Sequence, residues 1–488
     1  MDNTKQRITF MYVLVFTSLP SWACAQYDIF LRNDTPHTVY IDTDASKNLD
    51  PRSYHGWHDK ALKPYQAAKV QVFNYDKYID KGKKYKFNIF VKKHPNDRDV
   101  LLTFTTYLEG KSIGSHLYQS ELTTKNQQLY FFDKKPQPMY SEVYSQKVEN
   151  IFNSNKEMIL YCATIKYTVP NPHFNFQSTD ALTYTILEKQ KPFNYNFNSK
   201  ELSLLTYNVQ LWPFYGPVGG IRLNRPEVRV NIISDYMKHY DIVSFQELMD
   251  KDYRQTLTNN MLQQYPFHYG PNMGKSFLSS GLMIFSRWPI IKSGGIIYKA
   301  CSNIDCHADK GAIYIKIDKL GKIYHIFNTH LQANEKEDDH SDVRARIAQI
   351  QELKQFISDQ NIPANEVVLL MGDLNINASQ CTNNETGHCT EFKRLISELK
   401  VNYRVHKNYK VVSFSSDPSK NWMNTGNSKS ILDYILPFNN QNIQFSYESK
   451  MLVLRGNHAK EMYVGTPYAD TDLSDHFALE AKLWLYPK

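Results

Sequence analysis

Five places in this 488-residue chain put a residue able to do chemistry at the end of an apolar run. Asn208 follows Leu204-Leu205-Thr206-Tyr207. Glu247 follows Val243-Ser244-Phe245-Gln246, and His330 follows Phe327-Asn328-Thr329. Asp373 and Asn375 close Leu369-Leu370-Met371-Gly372, while Asp475 and His476 precede Phe477-Ala478-Leu479. A polar residue at a strand end is usually a turn former, and a lone histidine there is more often structural than catalytic. Five such ends within one half of a chain carry more weight, because strand ends are where a rigid scaffold presents reactive groups.

Together these residues supply carboxylates, two imidazoles and amides. Carboxylate and amide oxygens suit Mg²⁺, which takes one or two protein carboxylates and keeps several waters. Such an ion neutralises a phosphodiester. An imidazole near neutrality removes a proton from water, and a carboxylate beside it sets its tautomer. The set therefore fits phosphoryl transfer to water better than acyl transfer. The chain also has no G-x-S-x-G elbow and no Walker A loop.

The elements that must position these groups are legible. Apolar strands are predicted at Leu202–Tyr207, Ile242–Phe245, Leu282–Phe285, Ile323–Phe327, Val367–Met371 and Ile431–Leu436. Helical periods run through Val228, Ile232, Ile233, Tyr236 and Met237, and through Ile347, Ile350, Leu353 and Ile357. This alternation indicates an α/β unit. The earlier half differs. Thr38-Val39-Tyr40-Ile41, Val70-Gln71-Val72-Phe73 and Tyr85–Val91 alternate with period two and are bounded by Asp, Asn, Pro or Gly, the pattern of an antiparallel β-sandwich. The expected organisation is a leader at 1–25, an all-β sandwich-like domain at 26–190, a polar linker at 191–200 and the chemistry-bearing domain at 201–488. No internal repeat or low-complexity tract interrupts it.

Composition adds boundaries. Hydrophobic residues are 42% and charged residues 22%, as in soluble globular proteins. Lys5 and Arg7, an apolar Ile8–Leu19 and Ala23-Cys24-Ala25 read as a secretory signal cleaved before Gln26, so a secreted protein is expected. The rival reading, a lipoprotein anchored at Cys24, ranks lower because Ser21 stands where such signals usually carry Leu. An oxidising compartment favours local disulfides at Cys301–Cys306 and Cys381–Cys389 with Cys162 free, although spacing does not fix connectivity and zinc is the weaker alternative. Aromatics reach 14%, with 34 Tyr, which suits either a wet binding surface or β-rich structure. Residues 26–200 hold 24 Lys+Arg against 18 Asp+Glu, while 201–488 hold 31 against 30. The excess is densest from Lys60 to Lys93, at Lys81, Lys83, Lys84 and Lys86. A strand edge protected by lysine is the plainer reading, and an anionic partner the alternative.

The motifs T-Y-N-V-Q (206–210), F-Q-E-L (245–248), N-T-H-L-Q-A (328–333), G-D-L-N-I-N (372–377), L-D-Y-I-L (432–436) and S-D-H-F (474–477) resemble, in order, the DNase-I-like endonuclease/exonuclease/phosphatase superfamily. Within it, Asp309-Lys310-Gly311-Ala312, Ser286-Arg287-Trp288-Pro289-Ile290 and Asn361-Ile362-Pro363 are similar to segments of bacterial neutral sphingomyelinases. The resemblance implies a four-layered α/β/β/α sandwich after the β domain. It also implies Mg²⁺, with Mn²⁺ or Co²⁺ as substitutes, and hydrolysis of sphingomyelin to ceramide and phosphocholine by a monomer at a membrane surface.

Site roles follow from the same resemblance. Glu247 is the principal metal ligand, with Asn208, Asp373 and His476 also near the ion. His476 is the general base, oriented by Asp433 and supported by Asp475. His330 serves the phosphate or the leaving group, and Asp373 with Asn375 holds solvent and a phosphate oxygen. Asn208, Asn375 and Lys310 face substrate, Lys310 near the rim. The membrane hairpin of that family falls at Asn457–Thr471, which offers Met462, Tyr463, Val464 and Tyr468 but no Trp or Phe. Two rivals remain within the superfamily, a secreted nuclease and a phosphatidylcholine phospholipase C. A nuclease would be expected to show a basic cleft for the phosphate backbone, which the near-neutral 201–488 lacks, so no nucleic acid is expected. A third rival, a non-catalytic adhesion or targeting protein on a decayed enzyme fold, is disfavoured because every motif position is filled.

Overall fold

The computed structural model describes residues 25–486 except 46–53, 76–83, 113–114, 132–141, 170–176, 190, 214–224, 335–339, 383–386, 405, 408–410, 416, 418, 425, 440–441 and 464–470. The expected signal residues 1–24, Lys81, Lys83, Val464 and Tyr468 lie outside the described residues. No described helix is long and apolar enough to cross a membrane.

The first half is a sandwich of two six-stranded sheets. One runs in the order Glu142–Val148, Met158–Val169, Gln177–Glu188, Ala25–Asp34, Gln66–Tyr75, Tyr54–His55. The other runs Lys60–Leu62, Val39–Ala45, Lys84–Lys92, Val100–Ser112, Ser115–Thr124, Gln128–Tyr130. Phe87, Ile89 and Val91 point into the shared core with Leu31, Phe104, Leu122, Leu160 and Leu182, while Lys84 and Lys86 face water. One expectation is corrected. The sandwich is not purely antiparallel, because Ala25–Asp34 runs parallel to Gln177–Glu188 in register Gln26↔Thr179 to Asp34↔Leu187. Period-two alternation reports which face is buried and is silent on strand direction. Lys84 and Lys86 pair with Glu109 and Tyr107 on one side, while the register with Val39–Ala45 on the other side ends at Phe87.

The second half has four layers. A six-stranded sheet runs Phe267–Tyr269, Met283–Ser286, Ile242–Leu248, Glu201–Leu211, Ala478–Leu485, Phe445–Leu452. A five-stranded sheet runs Ile290–Ile297, Gly311–Lys319, Lys322–His330, Val367–Asp373, Asp433–Pro437. Helices α1 (Pro226–Tyr236) and α2 (Lys251–Met261) cover the outside of the first sheet. Helices α3 (His340–Ser358) and α4 (Gly387–Leu399) cover the outside of the second. One strand shows the alternation. Leu202 and Leu204 face the core between the sheets, and Leu205, Tyr207 and Val209 face α1 and α2. This is the expected α/β/β/α order, and all six predicted strands are present.

The two halves share buried structure. Phe30, Ala163 and Ala181 of the sandwich join the core under α1 and α2. Arg32 donates to Thr471 Oγ1 at 2.8 Å and lies 3.7 Å from Asp472, while Asp34 is paired with Arg455 and accepts from Asn457 at 3.0 Å. Arg455 Nε also donates to Asp472 at 2.8 Å. Met462 and Tyr463 are wholly buried in this contact, so neither is free for a membrane. The segment 191–200 is laid against the second half, with Phe193 N donating to Glu480 and Tyr324 Oη to the Ser199 carbonyl. Cys301–Cys306 and Cys381–Cys389 are the disulfides, and Cys162 is buried and unpaired.

Candidate active site

The strand ends converge where the two sheets meet. Glu247 sits in the left-handed region at φ 57°, and Asn375 at φ 50°. Such conformations cost about 1–3 kcal/mol for a non-glycine residue and cluster at functional sites. At Gly372 a Cβ would lie 2.0 Å from the Thr329 carbonyl oxygen, so only glycine lets the strand carrying Asp373 run this close to the strand carrying His330.

Asn208 stands between two carboxylates. Its amide nitrogen donates to Glu247 Oε1 at 2.9 Å and to Asp373 Oδ2 at 3.0 Å, and its Oδ1 accepts from Gln210 N. Trp212 donates to the other Glu247 oxygen at 2.6 Å. His330 Nε2 lies 3.9 Å from Glu247 and 3.6 Å from Asp373. Across the site, His476 Nδ1 is 2.8 Å from Asp433 Oδ2, which leaves Nε2 facing Asp373 at 3.7 Å. Ser474 bonds Asp475 at 3.2 Å and the Asn208 carbonyl at 2.6 Å, tying the S-D-H turn to the strand that carries Asn208. Asn375 donates its backbone N–H to Asp373 Oδ1 and its side-chain amide to the Leu331 carbonyl.

Lys310 departs from expectation. It is buried rather than at the rim, with Nζ 3.2 Å from His330 Nε2, 2.9 Å from the Leu331 carbonyl and 2.6 Å from Asp305. Sequence reasoning missed Asp305, Trp212 and Arg229. Arg229, wholly buried on α1, donates to the carbonyls of Val209, Gln210 and Leu473, so it bridges two site-bearing segments. Trp212 lies two residues past T-Y-N-V-Q, a signal that could have found it.

The electrostatics are lopsided. Burial, with Asp475 nearby, pushes Glu247 up to about 7. Burial and Asp433 push Asp373 up to about 6. Burial raises Asp475 as well. Burial, Lys310 and His476 hold His330 well below the ordinary histidine value, so it stays neutral. Burial would also lower His476, but Asp433, Asp373 and Asp475 outweigh it and hold its imidazole well above that value. Four carboxylates therefore share a buried volume with Lys310, which Asp305 already pairs, and with the Arg229 guanidinium acting on Asp475. Glu247, His330 and Asp373 form one set of candidate ligands and Asp373, Asp433 and His476 another, each within 4.8 Å. Asp433 Oδ1 and His330 Nδ1 are buried without a hydrogen-bond partner among the described residues. An oxygen-rich pocket with uncompensated negative charge fits a hard divalent cation.

The profile of the Endonuclease/Exonuclease/phosphatase family matches residues 205–476, more than half of the chain. Among curated relatives, Sphingomyelinase C 2 of Leptospira interrogans is 27% identical over 323 residues, which span 61% of this chain and 48% of that protein. Sphingomyelinase C of Listeria ivanovii is 28% identical over 306 residues, 59% of this chain and 85% of that one. A phospholipase C of Staphylococcus aureus is 27% identical over 308 residues, 58% and 87%. The match thus spans about half of the Leptospira relative's length. Among solved structures, SmcL is 25% identical, covering 58% of this chain and 99% of that chain at a TM-score of 0.47.

Proposed function

The chain belongs to the endonuclease/exonuclease/phosphatase family, and from that premise we propose that it is a secreted, Mg²⁺-dependent sphingomyelin phosphodiesterase releasing phosphocholine and ceramide. One observation carries the proposal. A His–Asp pair, His476–Asp433 at 2.8 Å, faces a second imidazole across two buried carboxylates, Glu247 and Asp373.

Glu247 and Asp373 would hold Mg²⁺, with Asn208 keeping their oxygens together. Mn²⁺ and Co²⁺ are the expected substitutes. When bound, the ion supplies positive charge to the phosphodiester and its developing negative oxygens. His476 Nε2 takes the proton from the attacking water, while Asp433 fixes the ring through Nδ1. A ligand role for His476 competes with this one, because Nε2 alone is free. Removing the proton that the surrounding carboxylates hold on His476 requires that their charge be offset, which makes the base cation-dependent. On the opposite wall, neutral His330 and Lys310 face the phosphate and the departing alkoxide, which takes a proton from Lys310 Nζ that solvent then replaces. Asn375 and Asp475 position rather than react, through Asp373, Leu331 and Ser474. Together these residues hydrolyse one P–O ester bond.

The near-neutral charge of residues 201–488 argues for a lipid over a nucleic acid. The phospholipase C name of the Staphylococcus relative makes phosphatidylcholine the second candidate substrate. Phosphocholine release from sphingomyelin and from phosphatidylcholine vesicles, with Mg²⁺ or EDTA, tests both. Sphingomyelin turnover that EDTA and His476→Ala abolish is expected. No release from either lipid rejects the reading, and activity surviving EDTA rejects the cation.

A further inference from the structure

Large apolar side chains exposed singly need no explanation, but contiguous ones do. Among the described residues, four such side chains are about 70% exposed or more: Phe277 at 77%, Ile304 at 75%, Phe197 at 74% and Met273 at 69%. Phe197 stands on the 191–200 segment, edge-on to Trp288. The other three stand on two loops that are bound to each other. Leu278 N donates to the His307 carbonyl and Asp309 N to the Leu278 carbonyl, each at 3.0 Å. The Asp309 carboxylate in turn accepts from Gly274 N and Ser276 N. The stretch 272–278 is thus strapped to 303–309, and the disulfide Cys301–Cys306 closes the second loop.

These loops border the active site. Asp309 precedes Lys310, whose Nζ is 3.2 Å from His330, and Asp305, next to Ile304, holds that same Nζ at 2.6 Å. Lys275, exposed between Met273 and Phe277, adds a cation suited to lipid phosphate. The 455–472 segment is not available for such a contact at Met462 and Tyr463, which are buried. We propose that Met273, Phe277 and Ile304 form the surface that docks the protein on a phosphocholine-lipid bilayer, beside the mouth through which a lipid headgroup reaches His330 and Lys310. A shallow apolar patch with a cationic neighbour binds an interface by burying side chains among the headgroups. The inference rests on the lipid-hydrolase reading for the identity of that bilayer.

The test uses the full chain. Co-sedimentation with sphingomyelin/cholesterol vesicles in EDTA reads binding without turnover, and p-nitrophenylphosphorylcholine with Mg²⁺ reads chemistry without a membrane. Met273→Ser/Phe277→Ser/Ile304→Ser should weaken vesicle binding by about tenfold or more, leave hydrolysis of the soluble ester unchanged, and be partly restored by Phe277→Trp. Phe197→Ser should alter neither. Wild type that ignores the vesicles, or a triple variant that binds them as wild type does, overturns the proposal. Equal loss of both readouts with a lowered melting temperature also overturns it, making the loops structural. The single Phe277→Ser, at a water-facing position, keeps the test open should the triple variant fail to fold. Wild type that binds vesicles but cleaves no lipid would defeat the sphingomyelinase reading while leaving the docking surface in place.

Discussion

Two buried charge clusters lie close together in this molecule and are built on opposite principles. At the contact between the halves, Arg32 and Arg455 meet Asp34 and Asp472, two positive against two negative. Burial works against ionisation of Asp472, but Arg455 and Arg32 outweigh it and hold the carboxyl below its usual range. In the active site, Glu247, Asp373, Asp433 and Asp475 have the His476 imidazole, the Arg229 guanidinium acting on Asp475, and a Lys310 that Asp305 already pairs. There burial wins, and Glu247 is pushed up to about 7. A balanced cluster holds parts together. An unbalanced one is the kind that the cation proposed for this site would complete. The clusters meet in sequence, since Asp472 stands only four residues before His476.

The largest effects should separate them by activity. His476→Ala and Glu247→Gln should each lower turnover by about 10³-fold or more, in line with loss of a general base or of several kcal/mol of cationic stabilisation. In calorimetry Glu247→Gln should also abolish the Mg²⁺-induced rise in melting temperature. A Mg²⁺-induced rise that survives the substitution would contradict the comparison.

Arg455→Met should do the reverse. Leaving Asp34 and Asp472 buried without their cation should cost about 3–5 kcal/mol in denaturant unfolding. A change under about 1 kcal/mol would show that the contact between the halves does not matter for stability. For the same reason, excising residues 26–190 should destabilise the rest of the chain, because it strips Arg455 of Asp34 and opens the core that Phe30 helps to fill.

A smaller effect concerns acid. The lowered carboxyl of Asp472 contributes stability fully present above its unfolded value, about 3.9. That contribution is lost as pH falls through the still lower folded value. Asp472→Asn should therefore flatten the loss of stability on acidification below about pH 4, read by thermal melts across a pH series. An unchanged slope would remove Asp472 from the account. Smallest of all, Trp212→Phe deletes one hydrogen bond to Glu247. It should weaken Mg²⁺ affinity by about tenfold, as for other groups that orient a ligand, with the vesicle-binding surface untouched.

Much of the site was legible because each reactive residue lies directly beside the apolar run that becomes its strand. Burial pattern and strand end are local properties, so Glu247, His330, Asp373 and His476 could be found one segment at a time. Lys310 was misplaced at the rim because a lysine's depth depends on what covers it. Here that is Asp305 and the Leu331 carbonyl, neither of which a local pattern connects to it. Trp212 and Arg229 escaped notice since their partners, Glu247 and Leu473, come from other strands and turns.

The amino-acid order alone determined the two textures, the strands and their order, the strand-end chemistry and the family likeness, since periodicity and motif are read along the chain. Tertiary structure decided what depends on contacts across it. Arg32 reaches a partner 439 residues away and Asp34 one 421 away. The direction of the Ala25–Asp34 pairing, the burial of Met462 and Tyr463, and the joining of two loops under Met273, Phe277 and Ile304 belong to the same class. Charge balance and exposure are properties of a packed volume, and only folding brings that volume together.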